Sequence, residues 1–506
     1  MPSLVEIVRR FRDLRVVVIG DAMLDTYRIG SASRLCTEGP VPVVVESETW
    51  QTPGGAANAA ANLRALGAEV RVVGIVGPDH SGTILRASLA DHGVSDRWLV
   101  EDSSVTTMCK ERLIADGQYV VRMDTGSTRA CSPAGIQQLV SNLRAAFDTC
   151  DAVVISDYGY GATPDAVLAV LRELRAVRNV PLVVDSKYLW RFSAMQATVV
   201  TPNHHEARAL VAASVAGADM DLPVVGTALL KRVDCEHAAI TLAADGVLIA
   251  SRSGTTVHIP AHPIANPADV GAGDSFTSAL ALGLAAGAEV ADAARIAIDA
   301  AAIAVMKPRT AIVDQQELLQ RVSLRGLHGL HGRHDPTSSS QGEASLLAEK
   351  LLVDRLAGRM IVFTNGIFDI LHAGHIAFLR EARAMGDVLV VGVNSDMSLG
   401  RMPAQRRPIN SERDRRALIA ALDPVDHALL FDESNPSALI RLLHPHIHVK
   451  GGDYAAEALP EAEAVHEVGG RIVILPLAGE DTTRAMIDRI LSIAVASGGE
   501  LGSIHD

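Results

Sequence analysis

Aromatic side chains are scarce in this sequence. Phe, Trp and Tyr occupy only 3% of its 506 positions, so Ala, Val and Leu must fill the core. Cysteine is also sparse: Cys36, Cys109, Cys131, Cys150 and Cys235 are scattered, with no CxxC pair. An odd, dispersed set excludes a disulfide framework or a zinc ribbon and fits reduced thiols in a cytoplasmic protein. No uninterrupted apolar run of about 18 residues occurs, so no membrane span is expected. The N-terminal stretch MPSLVEIVRRFRDLR is amphipathic and lacks the continuous apolar centre of a secretory signal. Basic residues are outnumbered, 46 Lys and Arg against 59 Asp and Glu, for a net charge of −13. That balance argues against nucleic acid as the main partner.

The remaining composition, 48% hydrophobic and 21% charged, is that of a packed globular chain. Its length calls for about two to four domains. Residues 324–345, LRGLHGLHGRHDPTSSSQGEAS, exchange the Ala/Val/Leu background for Gly, Ser, His and Pro and show no apolar period. They are expected to form an exposed linker between domains 1–323 and 346–506. The histidines there also admit a metal tract, which the mixed composition makes the weaker reading.

Before this linker, β-branched runs at 15–20, 153–156, 182–185, 198–201 and 238–241 alternate with Ala-rich amphipathic segments. The same rhythm returns at 361–364, 388–393, 447–449 and 471–475. Both halves are therefore expected to be α/β with largely parallel sheets. Residues 40–50 and 106–124 alternate differently and should form a small antiparallel sheet beside the first.

In NPADVGAGDSFTSALALGLAAG (266–287), Gly271, Ala272 and Gly273 precede a long helix with Asp274 at its start. Glycines let backbone N–H groups approach a phosphate, and the helix N-terminus adds unsatisfied donors. Asp274 stands where it can take a proton from an attacking hydroxyl. Alone, the motif is equally well read as a turn with a capping Asp. PGGAAN (53–58), TPNHHE (201–206) and GDAMLD (20–25) accompany it, the last placing Asp21 and Asp25 at the end of the first strand.

Together these four elements resemble the ribokinase-like (PfkB) sugar kinases over residues 10–320. The resemblance implies phosphorylation of a sugar hydroxyl by ATP with Mg²⁺. Asp274 would be the base and the Gly271–Gly273 backbone the anion hole. Asn203 and Glu206 would organise Mg²⁺ indirectly, with the ATP phosphates, and Lys187 would bind phosphate. Asp21, Asp25, Gly54, Gly55 and Asn58 would hold the sugar. Two features depart from the family: the acid before GAGD sits one place late, at Asp269, and Tyr160 stands where relatives often carry Lys.

The second half opens with FTNGIFDILHAGHIAF (363–378). His372 and His375, three apart, share a helix face near its N-terminus. They can donate to nucleotide phosphates; a metal pair or a structural pair are the rivals. The pattern GxFDxxHxGH resembles nucleotidylyltransferases with HxGH sites over residues 358–492, supported by VNSD, RPIN, VKGGDY and DTTR. By that resemblance His372, His375 and Lys450 are catalytic. Asn365, Gly366, Phe368, Asp396, Arg415, Thr482 and Thr483 would bind ATP, and Asp369 the acceptor. Asp481 replaces a Ser frequent in relatives.

The order of the halves resembles the bifunctional heptose enzymes of bacterial ADP-heptose synthesis. It implies ATP-dependent phosphorylation of heptose 7-phosphate at C1, then AMP transfer to heptose 1-phosphate with release of pyrophosphate. A separate phosphatase must act between the steps, and the small sheet implies a homodimer. The same architecture acting on another sugar, or with CTP, stays open, as does a kinase half kept as a binding module.

Overall fold

The computed structural model describes residues 2–212, 221–261, 264, 271–307, 312–330, 340–356, 358–401, 408–452, 459–475 and 492. The chain divides into two units, Met1–Ser323 and Leu324–Asp506. Helices Gln315–Leu330 and Ser340–Leu356 extend into both ends of the segment expected to be linker.

The first unit is built on a nine-stranded sheet. Its order is Thr256–Ile259, Val247–Ser251, His237–Thr241, Val199–Val200, Leu182–Ser186, Ala152–Asp157, Arg15–Gly20, Glu69–Val76, Leu99–Glu101. Pairing is parallel from His237–Thr241 onward, and the first two strands add antiparallel. The central strands Arg15–Gly20 and Ala152–Asp157 are buried almost throughout. Burial on both faces is why they read as unbroken apolar runs.

On one face Val17, Ile19, Val153 and Ile155 pack with Leu139 and Leu143 of helix Pro133–Phe147 and Val167 and Leu171 of Asp165–Val177. Each such side chain contributes about 1.5–3 kcal/mol by leaving water. The alanine-rich helices Ala272–Ala285 and Val290–Met306 make a tight contact of another kind. A Cβ on Gly283 would lie 2.9 Å from the Ala293 Cβ. Small residues thus set the helix spacing, and aromatics are not needed there.

A separate four-stranded sheet, ordered Pro42–Gly55, Ala22–Leu35, Met108–Ala115, Gln118–Thr125, rises beside the main one. Both segments expected to form it do so. Its second strand, Ala22–Leu35, was not anticipated, and it pairs in parallel with Met108–Ala115.

The second unit carries a five-stranded, all-parallel sheet: His427–Phe431, Val388–Asn394, Ile361–Gly366, Ile447–Gly451, Arg471–Leu475. Ile361, Phe363, Val388 and Val390 face one layer with Ile440 and Val465, while Val362, Leu389 and Val391 face another with Leu379 and Ile419. Among the described residues no helix is long and apolar enough to cross a membrane.

Candidate active sites

Helix Ala272–Ala285 begins at Gly271, whose φ of +89° is left-handed, and no side chain caps it. Elsewhere Asp79, Ser132, Asn203, Ser395 and Ser411 do cap their helices. The bare start leaves N–H donors for an anion. A Cβ on Gly273 would meet no protein atom within 4 Å, so that space is open to a ligand.

Asp274, in the first turn, accepts a 2.6 Å hydrogen bond from Asn58 Nδ2. Asn58 belongs to helix Ala56–Ala65, and one turn on Asn62 donates to the Asn58 carbonyl (3.0 Å) and accepts from Ser275 Oγ (2.8 Å). The two helix starts are thereby stitched together. Burial pushes the Asp274 carboxyl up to about 6; the Asn58 hydrogen bond opposes this and Asp25 adds to it.

Asp25 lies within strand Ala22–Leu35 of the small sheet, and thus beyond the end of the first strand, where the sequence had placed it. It is buried and paired with Arg112 at 2.8 Å. Gly54 and Gly55 are forced by this packing. A Cβ on Gly54 would sit 2.9 Å from Asp25 Oδ2, and Gly55, at φ +56°, would press its Cβ to 2.6 Å from the Asp21 carbonyl.

Asp21, expected as a sugar ligand, is engaged with the protein backbone. Its buried carboxylate accepts from the backbone N–H groups of Tyr158 (2.8 Å), Tyr160 (3.0 Å) and Ala162 (3.0 Å), so it clamps the loop after strand Ala152–Asp157. Asp21→Ala leaves those donors without an acceptor. The expected loss is about 3 kcal/mol of stability, read as a lower urea midpoint; an unchanged midpoint would show that water replaces the clamp.

Asp185, Lys187, Asn203, Glu206 and Gly273 face a cleft of about 180 Å³. Asn203 and Glu206 also form a capping box: Asn203 Oδ1 accepts from the Glu206 N–H (2.9 Å) and Glu206 Oε2 from the Asn203 N–H (3.0 Å). Asp185 was missed in the sequence because it ends an ordinary buried strand. Burial, then Asp274 and Glu206, push its carboxyl up to about 8.

Lys110 was missed too. Its Nζ lies 4.7 Å from the Tyr158 ring centre and 5.5 Å from that of Tyr160, two rings stacked at 6.4 Å. Lys110 and Arg112 alternate along one strand and so share a face, the signal that could have found them. Ala268–Val270, where the motif departs from the family, lies outside the described residues.

In the second unit, strand Ile361–Gly366 leads through a sharp loop into helix Ala373–Arg383. His372 is its N-cap residue, and again no side chain caps it. Phe368 takes a left-handed φ of +52°. The His372 and His375 rings lie 3.9 Å apart and Phe368 meets His375 edge-on at 5.5 Å. Burial and the neighbouring His372 lower His375 to about 4, so it is neutral at physiological pH.

At the end of the adjacent strand Ile447–Gly451, Lys450 donates to Asn365 Oδ1 at 2.8 Å and pairs with Glu461 at 3.1 Å. The sequence had not drawn Glu461 in.

Three expected ligand contacts are otherwise engaged. Asp369 accepts from the N–H groups of Ile409 and Asn410, each at 2.9 Å. Arg415 is fully buried; it donates to the carbonyls of Ile367 (2.7 Å), Asn394 (2.7 Å) and Asn410 (3.2 Å) and to Asp396 Oδ1 (2.7 Å). A charge this deep must be fully paired, so Arg415 and Asp396 shape the loop that carries Phe368. Thr482 and Thr483 lie outside the described residues. Among the described residues no three His, Cys, Asp or Glu side chains converge as a ready metal site.

Residues 13–317 match the model of the pfkB family carbohydrate kinases, and residues 363–477 match a cytidylyltransferase-like model. Over nearly its whole length the chain is similar to proteins named bifunctional protein HldE. It is 36% identical to that of Geobacter sulfurreducens, covering 94% of this chain and 96% of the relative. To that of Pelobacter propionicus it is 37% identical, covering 97% and 98%. Among solved structures, phosphofructokinase-2 from Escherichia coli in complex with potassium aligns with a TM-score of 0.52 at 21% identity. The alignment covers 61% of this chain and 99% of that one and marks a shared fold.

Proposed function

This chain belongs to the family of bifunctional HldE proteins, and on that premise we propose that it converts a heptose 7-phosphate to an ADP-heptose in two separated steps. The first unit is a carbohydrate kinase and the second a nucleotidyltransferase. The observation that carries the reading is what stands at two of the helix starts that no side chain caps. One is furnished with a proton acceptor, Asp274, and the other with two imidazoles, His372 and His375.

In the first step the C1 hydroxyl of D-glycero-β-D-manno-heptose 7-phosphate lies against Asp274, which Asn58 orients. ATP supplies the phosphoryl group, received at the N–H groups around Gly273. Asp25, with Arg112 behind it, holds the sugar. In-line phosphoryl transfer needs this positioning and charge neutralisation more than covalent help.

Burial first, and then the negative charges of Asp274 and Glu206, raise Asp185 to about 8, and a carboxylate so placed beside Glu206 in one cleft fits a divalent cation. Mg²⁺ is commonly held by one or two carboxylates together with substrate phosphates. Asp185 and Glu206, with Asn203 beside them, would hold it, and it would neutralise the phosphates of ATP.

In the second step heptose 1-phosphate attacks the α-phosphorus of ATP. The bond to the β-phosphate breaks and pyrophosphate leaves. His372 and His375 donate to the phosphates from the helix start, and Lys450 compensates the charge that develops. Between the steps a separate phosphatase removes the 7-phosphate. The protein works in the cytoplasm as a homodimer. Pairing through the small sheet is supported by its exposed Leu35, Val45, Tyr119, Val121 and Met123.

The test supplies heptose 7-phosphate or heptose 1-phosphate with ATP or CTP and identifies products by mass. The expected products are heptose 1,7-bisphosphate with ADP, and ADP-heptose with pyrophosphate. CDP-heptose from CTP would replace the nucleotide assignment. Binding of the 7-phosphate without bisphosphate formation would reduce the first unit to a binding module.

A further inference from the structure

Lys450 carries one of the charges on which the proposed AMP transfer depends, yet a lysine side chain is long and rotates freely. Three groups bear on where its ammonium points. Asn365, on the neighbouring parallel strand, accepts one N–H at 2.8 Å. Glu461 Oε1 lies 3.1 Å away. That same oxygen lies 3.2 Å from Nε2 of His448, two residues before Lys450 on the strand.

Glu461 is 2% exposed and His448 is fully buried, with its ring stacked on Phe363 at 5.5 Å. Burial works to raise the Glu461 carboxyl, but the hydrogen bonds from His448 and Lys450 hold it down at about 2. It is therefore an anion throughout the working range. Burial lowers His448, against the opposing pull of Glu461, and because a carboxylate only accepts, Nε2–H of His448 is the donor.

We propose that Glu461 is the positioning residue for Lys450, a carboxylate locked by His448 that fixes the direction of the ammonium. An ammonium has three N–H donors. With one on Asn365 and one on Glu461, tetrahedral geometry sets the third, which is the one left to meet a phosphate. Glu461 never touches substrate; it removes the rotational freedom that Lys450 would otherwise lose during the reaction. The inference rests on the assignment of Lys450 to AMP transfer.

The experiment is a double-mutant cycle on the full chain, measuring pyrophosphate release from ATP and sugar 1-phosphate. Glu461→Gln keeps the side-chain shape and removes the charge. It is expected to lower kcat about 10²-fold with little change in KM for ATP, while sugar phosphorylation by the other unit continues and reports an intact chain. Lys450→Met is expected to lower kcat at least as far. In the Lys450→Met background, adding Glu461→Gln should cost nothing further, because the group it positions is gone.

Equal losses from Glu461→Gln in both backgrounds would mark Glu461 as a structural residue and overturn the proposal. A full rate in Glu461→Gln beside a crippled Lys450→Met would remove the proposal alone. A full rate in Lys450→Met would remove the reading on which it rests, and the proposal with it.

Discussion

Asp274→Asn is expected to slow sugar phosphorylation about 10³-fold while AMP transfer to added sugar 1-phosphate keeps its rate. The amide cannot accept the hydroxyl proton, yet it fills the same space at the helix start, so the fold should survive. Its pH dependence gives a second check. The carboxyl is raised from 3.8 to about 6, and only its ionised form is a base. Below pH 6, kcat/KM for the sugar should therefore fall tenfold per pH unit, and above it should level off. In Asp274→Asn the residual rate should lose that acid limb.

Asn58→Ala should shift the limb to higher pH, since the 2.6 Å hydrogen bond favours the carboxylate. If Asp274→Asn phosphorylates at the wild-type rate, the base has been misassigned.

The second large effect belongs to His375. His375→Ala should reduce pyrophosphate release about 10²–10³-fold, with ADP formation by the kinase unit unchanged. Burial and the nearby His372 hold His375 at about 4, so it donates as a neutral imidazole. The AMP-transfer rate of the wild type should then show no inflection near pH 6.5 from this group. His375→Gln, which retains a donor, should recover part of the loss. Normal pyrophosphate release from His375→Ala would show that the helix start binds phosphate through its backbone alone.

Most parallel strands were legible because burial on both faces writes an unbroken apolar run; Glu69–Val76, interrupted by half-buried Arg71, and His427–Phe431, only partly buried, were not. Leu99–Glu101 is too short to show a pattern, and Val247–Ser251 with Thr256–Ile259 form an antiparallel edge with weaker alternation. Strand Ala22–Leu35 was hidden for a different reason. Its first six residues are buried and the rest largely exposed, so no single period runs along it.

At the sites, backbone devices were readable: a glycine that must take φ +89°, or a histidine beginning a helix, leaves a local signature. Charges were not. Asp21, Asp369 and Arg415 look in the sequence like residues aimed at a ligand. In the fold all three bond to backbone groups, and for Asp21 and Arg415, which are buried, such pairing is a task any buried charge must be given. Asp185 and Glu461 gain their character from neighbours distant in sequence, which no local window contains.

The division at Ser323 has a spectroscopic consequence. All three tryptophans, Trp50, Trp98 and Trp190, fall in the first unit. Indole emission will follow the melting of the kinase alone, while the transferase half stays dark in that channel and contributes only to far-ultraviolet dichroism. In a single titration with denaturant, comparing the two signals ranks the stabilities of the halves without cutting the chain.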